Sequence, residues 1–547
     1  MIGVVFKKGS WLSWQLLVLF GLMAVSIIFQ LHNLSHYNVY PDSYQSLVVA
    51  KNLKIYHRLV ATMGQNGITY PSYFAWTRPV YPILITVFSY LGFSLETSAH
   101  IIATSADMLS LLSIYFLVKT VLKSSKSGLV AAALLTFSYA HTVWSGFILT
   151  EPLGVLMLSL ALLSLVKSRK GRDDWLETRD IYTGLLFAAA ILTRYEYIAI
   201  LIPAAFIASP KLSLKRSLTI LGLALASSFA VLVALQAFAA GWLLAWQQFR
   251  GDTVALLIEV LLLVVVIAAI NKRKDLVTAI KWLSYFTASL IVLASLALVI
   301  RHSIYTGMWL FVKHNFLIGI FAVLGLVSLL LKDDKKSKQL GLALSSGCLI
   351  LGVCYYHTNP TMERYVVHLL PLLLIAAACG VQFILKFKYR IAIGSLLLLL
   401  LCFQSVISWR GLHGVEGNIW FKPGYEELVA KKLAPIFGAN KTVVTALPEP
   451  YYLYTKASVQ SVTNSAPYVY LNYASHPSQT VYLVDDLPLQ ELFPNAARVL
   501  SKKLNSYQIL SGIVNVPFRY TDKITYTSIP LKVYKVKANQ LQYLIKG

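Results

Sequence analysis

Long apolar runs recur through the first 408 residues, and the connections between them alternate between basic-rich and basic-poor. Lysine and arginine cluster at Lys119/Lys123/Lys126, Lys167/Arg169/Lys170/Arg172, Lys211/Lys215/Arg216, Lys272/Arg273/Lys274, Lys332/Lys335/Lys336/Lys338 and Lys386/Lys388/Arg390. Basic residues near span ends stay on the cytoplasmic side, so clusters on every second connection set the topology. With the N-terminus inside, the expected spans are 11–31, 98–118, 128–148, 151–167, 181–193, 196–209, 217–240, 254–270, 282–300, 314–331, 340–356, 365–385 and 391–408. About thirteen spans then leave the C-terminal segment outside.

Composition agrees. Hydrophobic residues make up 57% of the chain against 13% charged, and mean hydropathy is +0.65, which excludes an ordinary soluble domain of this length. The net charge of +25 is explained by loops facing an anionic leaflet and needs no nucleic-acid partner. Cys348, Cys354, Cys379 and Cys402 lie in or at apolar runs without zinc-type or disulfide spacing. The first run, 11–31, follows Lys7-Lys8 but is long enough to span and lacks a small-residue cleavage site, so it is expected to remain uncleaved.

The run 80–95 is short, opens with prolines and carries Tyr81 and Tyr90. Counting it as a span would invert every later loop, so it is expected to lie in the outer interface. The resulting division is a membrane domain at 1–408, with an outer first loop and juxtamembrane helices at 32–97, and a soluble α/β domain at 409–547. In the latter, 426–437 and 487–504 have helical patterns, while 442–447, 480–484 and 532–536 have strand patterns.

Acidic residues mark the outer side. Asp42 follows the first span, and Glu151, in Thr150-Glu151-Pro152, stands at the mouth of another. Residues 43–59 have a helical pattern, so Asp42-Ser43 would serve as its N-cap, a structural role that competes with chemistry. Glu151 would likewise suit a helix first turn with Pro152 at N1. Arg194 and Glu196 could pair within their own tight turn, and Arg364 beside Tyr365 could snorkel to the interface.

Taken together, the pieces resemble the GT-C superfamily of membrane glycosyltransferases, in the branch of protein O-mannosyltransferases and the lipid A aminoarabinose transferase (glycosyltransferase family 39-like). The resemblance rests on Asp42 with Tyr44 and Ala50-Lys51-Asn52-Leu53, on Arg78-Pro79-Val80-Tyr81-Pro82, on Thr150-Glu151-Pro152-Leu153, on Thr193-Arg194, and on Glu363-Arg364-Tyr365 with Pro371. It covers the membrane domain in order. The chain departs from several relatives in having Asp42-Ser43 where they carry Asp-Glu. It also lacks the Trp-Trp-Asp motif of N-glycosylation oligosaccharyltransferases.

The resemblance implies an α-helical polytopic membrane protein of GT-C type that moves a sugar from a polyprenyl phosphate to a hydroxyl of a lipid, cell-wall glycan or protein, on the extracytoplasmic side and with inversion. Asp42 would be the base, with Glu151 as a second acid orienting the acceptor or helping to hold the sugar. Arg78, Arg364 and Arg194 would bind the donor phosphate, and Tyr44, Tyr81 and Tyr365 would line the substrate. No cofactor or metal is expected, although carboxylates at Asp42 and Glu151 leave a divalent ion open. The competing class is a lipid or glycolipid flippase, which should place ionisable residues in mid-span; Asp107 is the main instance.

Overall fold

The computed structural model describes residues 14–34, 41–57, 59, 78–168, 177–208, 214–240, 315–358, 367–386, 390–414, 425–437, 441–461, 480–486, 489–490, 498, 502, 504–520 and 523–537. Among them, the helices are α1 (Trp14–Leu34), α2 (Pro41–Tyr56), α3 (Val80–Tyr90), α4 (Leu95–Leu122), α5 (Ser125–Thr136), α6 (Tyr139–Trp144), α7 (Glu151–Lys167) and α8 (Thr178–Thr193). There follow α9 (Leu201–Ala208), α10 (Leu214–Ala240), α11 (Phe316–Leu331), α12 (Lys335–Thr358), α13 (Leu370–Ile384), α14 (Arg390–Gly414), α15 (Tyr425–Leu433) and α16 (Pro448–Tyr454). The strands are β1 (Thr442–Thr445), β2 (Ser458–Ser461), β3 (Thr480–Asp485), β4 (Gln508–Tyr520) and β5 (Lys523–Lys537). The expected spans at 254–270 and 282–300 lie outside the described residues.

Packing divides the chain into two compact units. One comprises Met1–Ser35, Ile101–Ala234 and Phe249–Leu412; the other comprises His36–His100, Leu235–Gln248 and His413–Gly547. The first-loop helices therefore pack with the C-terminal segment, a grouping that the linear reading of the chain did not anticipate.

The first unit is helical and wears its apolar residues outward. Trp14–Leu31, Leu95–Leu122 and Val367–Ile384 are long and apolar enough to cross a membrane, and Phe316–Leu331 and Gly394–Ile407 are shorter apolar helices. Leu17, Phe20 and Ile28 of α1, Val323 and Leu331 of α11, and Leu398, Leu399 and Phe403 of α14 are exposed. A helix satisfies its own backbone, so such a surface is stable in lipid and costly in water.

Inside this unit the helices approach closely where side chains are small. A Cβ on Gly325 of α11 would lie 1.8 Å from the Ala376 carbonyl oxygen of α13, and one on Gly380 would lie 2.1 Å from that of Phe321. The clash is with backbone on both sides, so no side-chain rearrangement relieves it. Gly380→Val should cost at least about 1–3 kcal/mol by overpacking, read as a lower midpoint for thermal inactivation of the full-length protein in detergent. A midpoint equal to wild type would show that the two helices separate easily.

Two expectations about these elements are corrected. The run 128–148 is not one helix but α5 and α6, broken at Phe137-Ser138. Ser138 caps α6 by accepting the His141 amide, while its hydroxyl donates to Asn315 Oδ1 at 2.8 Å. Asp42-Ser43 also does not stand at an N-cap, because α2 already begins at Pro41 and Asp42 is its second residue. A proline at the first helical position has no amide to leave unbonded, so the helix starts there. The run 80–95 does form a helix, α3, ended by Gly92, whose φ of 97° is a conformation open to glycine without strain.

Asp107, the acid deep in α4, is not isolated. Ser26 of α1 donates to its Oδ2, and His141 Nδ1 of α6 lies 3.1 Å from Oδ1, so three helices meet at one buried carboxylate. At the N-terminal ends of α8 and α10, buried Arg216 pairs with Asp180 at 2.5 Å and with Glu177 at 3.2 Å. Arg216, counted above among the loop cations, is thus part of a buried pair.

The second unit contains a five-stranded sheet in the order β2-β1-β3-β5-β4, with β1 parallel to β2 and β3, and β5 antiparallel to β3 and β4. The expected helix at 426–437 appears as α15, and the expected strands at 442–447, 480–484 and 532–536 appear within β1, β3 and β5. The expected helix at 487–504 lies largely outside the described residues. Val443, Val459, Tyr482, Val484 and Val533 meet Tyr425, Val429 and Leu433 of α15 in the core, joined by Val48 of α2.

That core holds buried acids. Desolvation raises Glu426 to about 8, helped by Asp486, which burial itself raises to about 6. Tyr451 donates to Asp486 Oδ2 at 2.7 Å. A carboxyl protonated in the folded chain and ionised in the unfolded one stabilises the fold below the ordinary value of 4.5, and loses that contribution as pH rises through about 8. The loss is on the order of a few kcal/mol. Amide-exchange protection of β1 and β3 in the full-length protein should therefore fall across this pH range, and Glu426→Gln should flatten the dependence. A flat wild-type profile would show that Glu426 is ionised in the folded protein.

Candidate active site

Glu151 is the first residue of α7, with Pro152 at N1/N2. The preceding Thr150 offers no side-chain cap, so the acid sits among the unpaired amides of the first turn, where the helix dipole favours it. Its side chain is nonetheless buried, and Oε1 accepts a hydrogen bond from Arg194 Nη2 at 2.7 Å.

Arg194 reaches that position because α8 ends at Thr193. The chain then extends for one residue (φ −151°, ψ 106°) before a 3-10 helix, Tyr195–Ile200. This kink turns the guanidinium inward, where only 1% of the residue remains exposed. A buried arginine needs an acid and further acceptors. The second acceptor is His368: Arg194 Nε donates to His368 Nε2 at 2.8 Å.

The hydrogen bonds define the histidine's tautomer. Arginine has no acceptor, so His368 Nε2 carries the lone pair and the ring is neutral, with its proton on Nδ1. That proton is donated to the Tyr197 hydroxyl, 2.7 Å away, and the two rings stand edge to face at 5.6 Å. A chain of four buried groups results, from Glu151 through Arg194 and His368 to Tyr197, with charges that balance.

Gly154 makes room for it. A Cβ there would lie 2.8 Å from Tyr197 Oη, 3.3 Å from His368 Cε1 and 3.4 Å from Arg194 Cγ. Three residues after Glu151, it presents bare backbone on the same helix face.

Of the other residues singled out, Asp42 occupies the second position of α2. Tyr44, two residues on, is fully buried, and its hydroxyl has no hydrogen-bond partner among the described residues. Tyr81 is also fully buried and donates to the Ala99 carbonyl at 3.2 Å. Arg78 is half-buried just before α3. Glu363, Arg364 and Tyr365 lie outside the described residues. Among the described residues, no group of three or more His, Cys, Asp or Glu side chains could hold a metal ion.

His368, Tyr197 and Gly154 were missed by the sequence reading. His368 has no ligand spacing to mark it, and its only hint is its place shortly after Arg364-Tyr365. Gly154 falls three residues after Glu151, the separation that returns to one face of α7, and Tyr197 falls in the 3-10 helix that directly follows Arg194.

Residues 77–236 match the family model described as dolichyl-phosphate-mannose-protein mannosyltransferase. The expected resemblance is shown over this segment, which contains Arg78, Glu151, Gly154, Arg194 and Tyr197; Asp42 precedes it and His368 follows it. Among solved structures, the chain is similar to the crystal structure of ArnT from Cupriavidus metallidurans bound to undecaprenyl phosphate, at 12% identity and TM-score 0.49, covering 94% of this chain and 97% of that one. It is similar also to the apo crystal structure of ArnT from the same organism, at 13% identity and TM-score 0.48, covering 95% and 98%. No curated protein matches.

Proposed function

We propose that this chain is an integral membrane glycosyltransferase that transfers a sugar from a polyprenyl-phosphate donor to a hydroxyl on the extracytoplasmic side. The observation that carries the reading is the buried Glu151–Arg194 pair inside the segment that matches the mannosyltransferase model. An acid held by a charge-assisted hydrogen bond to a buried guanidinium, itself fixed by a second bond to His368, is suited to positioning a polar substrate.

In the proposed reaction the acceptor oxygen attacks the anomeric carbon from the face opposite the lipid phosphate. The carbon–oxygen bond to phosphate breaks, its electron pair leaves with the phosphate, and the anomeric centre inverts. The acceptor's proton passes to the carboxylate of Asp42. Lipid phosphate is already a stable anion and needs cations rather than a general acid. Arg78 and Arg364 are assigned that role. Arg194 first serves Glu151, and any contact it makes with the donor phosphate would be in addition. Glu151 orients the acceptor or sugar, and the C-terminal α/β domain lies outside the membrane.

The flippase reading draws no support from Asp107. That carboxylate is engaged by Ser26 and His141 between three helices, as an interhelical tie would be. The proposal is tested with the purified full-length protein and a panel of radiolabelled polyprenyl-phosphate sugars. One donor should be consumed, with release of free lipid phosphate. Failure to consume any, alongside transbilayer movement of an intact glycolipid, would replace the transferase with a transporter.

A further inference from the structure

We infer that α16 of the C-terminal segment is a positioning element for α2, and hence for Asp42, acting through a latch of Lys51 and Asn52 on α2 with Tyr452 on α16. The inference rests on the proposed role of Asp42. Tyr452 engages both residues of α2. Its hydroxyl donates to Asn52 Oδ1 at 2.6 Å, and its carbonyl accepts from Lys51 Nζ at 2.7 Å. The Lys51 ammonium also lies 4.3 Å from the centre of the Tyr452 ring.

These are not surface contacts. Asn52 is fully buried, Tyr452 is 7% exposed, and burial lowers the Lys51 pKa. One turn before Asn52, Val48 is part of the hydrophobic core beneath the sheet. The other side of α2 is held by α3, where Thr86 donates to the Ala50 carbonyl at 3.2 Å and Lys54 to that of Ser89 at 3.1 Å. Tyr454, two residues after Tyr452, donates to Glu96 of α4. The helix is thus clamped between α3 and α16. Asp42 lies ten residues before Asn52 on one continuous helix, about 15 Å away at 1.5 Å per residue, so the latch sets the helix without touching reacting atoms.

The test is Tyr452→Phe in the full-length protein, which removes the hydroxyl and keeps the ring, measured alongside Asp42→Asn. A displaced base slows the chemical step more than donor binding. Tyr452→Phe should therefore lower kcat about tenfold with donor KM within about twofold. Amide exchange across α2 should accelerate by about tenfold while β1 and β3 keep their protection. Tyr452→Phe/Asn52→Leu, which removes both sides of that one hydrogen bond, should recover α2 protection and part of kcat. Wild-type kcat in Tyr452→Phe, with Asp42→Asn inactive, would overturn the latch and leave Asp42 as the base. A kcat loss accompanied by equal loss of protection in β1 and β3 would reduce Tyr452 to a general structural residue and overturn the latch also. Full activity in Asp42→Asn would instead overturn the reading on which the latch rests.

Discussion

Replacing Arg194 with methionine is expected to destabilise the folded protein by about 3–5 kcal/mol, because Glu151 is left buried without its counter-charge and His368 loses its donor. The thermal midpoint of the full-length protein in detergent reads this loss. Arg194→Lys should recover only part of it. A single ammonium cannot reproduce the forked guanidinium that donates through Nη2 to Glu151 and through Nε to His368. The double variant Glu151→Gln/Arg194→Met should be more stable than Arg194→Met alone, because no unpaired charge is buried. It should still lack transfer activity if Glu151 orients substrate. A midpoint for Arg194→Met equal to wild type would show that water reaches the pair.

Asp42→Asn should lower transfer by about 10²- to 10⁴-fold, the usual contribution of a general base, while the protein remains folded. Asparagine keeps the size and hydrogen-bonding shape of aspartate and removes only its ability to take a proton. As an acid in the first turn of α2, Asp42 contributes to the helix by about 0.3–1 kcal/mol through the dipole, too little for its loss to unfold the chain. Activity and folding should therefore separate cleanly in this variant. Turnover within about twofold of wild type, with the protein folded, would return Asp42 to a helix-terminal role.

The parts of this protein that follow local rules were legible, and those fixed by distant contacts were not. The apolar runs, the helical pattern over 43–59 and the turn at Arg194 follow from hydropathy, from apolar periodicity and from the charges of Arg194-Tyr195-Glu196, whereas α2 starts at Pro41, two residues before that pattern. The break between α5 and α6 does not, because Leu135-Thr136-Phe137-Ser138-Tyr139 contains no glycine or proline. It depends on Asn315, whose Oδ1 accepts from the Ser138 hydroxyl and, at 3.1 Å, from the Ala140 amide. No window of sequence around residue 138 contains that partner.

The hairpin of β4 and β5 was recognised only at 532–536, since Pro517 and Pro530 argue against strands. Among the described residues, β5 pairs with β3 over Lys532–Lys537, and both prolines fall outside that stretch, where the hairpin has no third described strand beside it. At the site, Glu151 and Arg194 were legible as charges at span mouths. Their pairing, and the recruitment of His368 from 174 residues away, depend on the tertiary fold.

The most direct test of the central claim reconstitutes the full-length protein in vesicles containing a doubly labelled polyprenyl-phosphate sugar, with one label on the sugar and one on the lipid. Separation of the labels and movement across the bilayer are followed together. The transferase predicts that the labels part only when donor and acceptor face the extracytoplasmic side, leaving free lipid phosphate and a glycosylated hydroxyl. Movement of both labels together across the bilayer, with the sugar–phosphate bond intact, would contradict it.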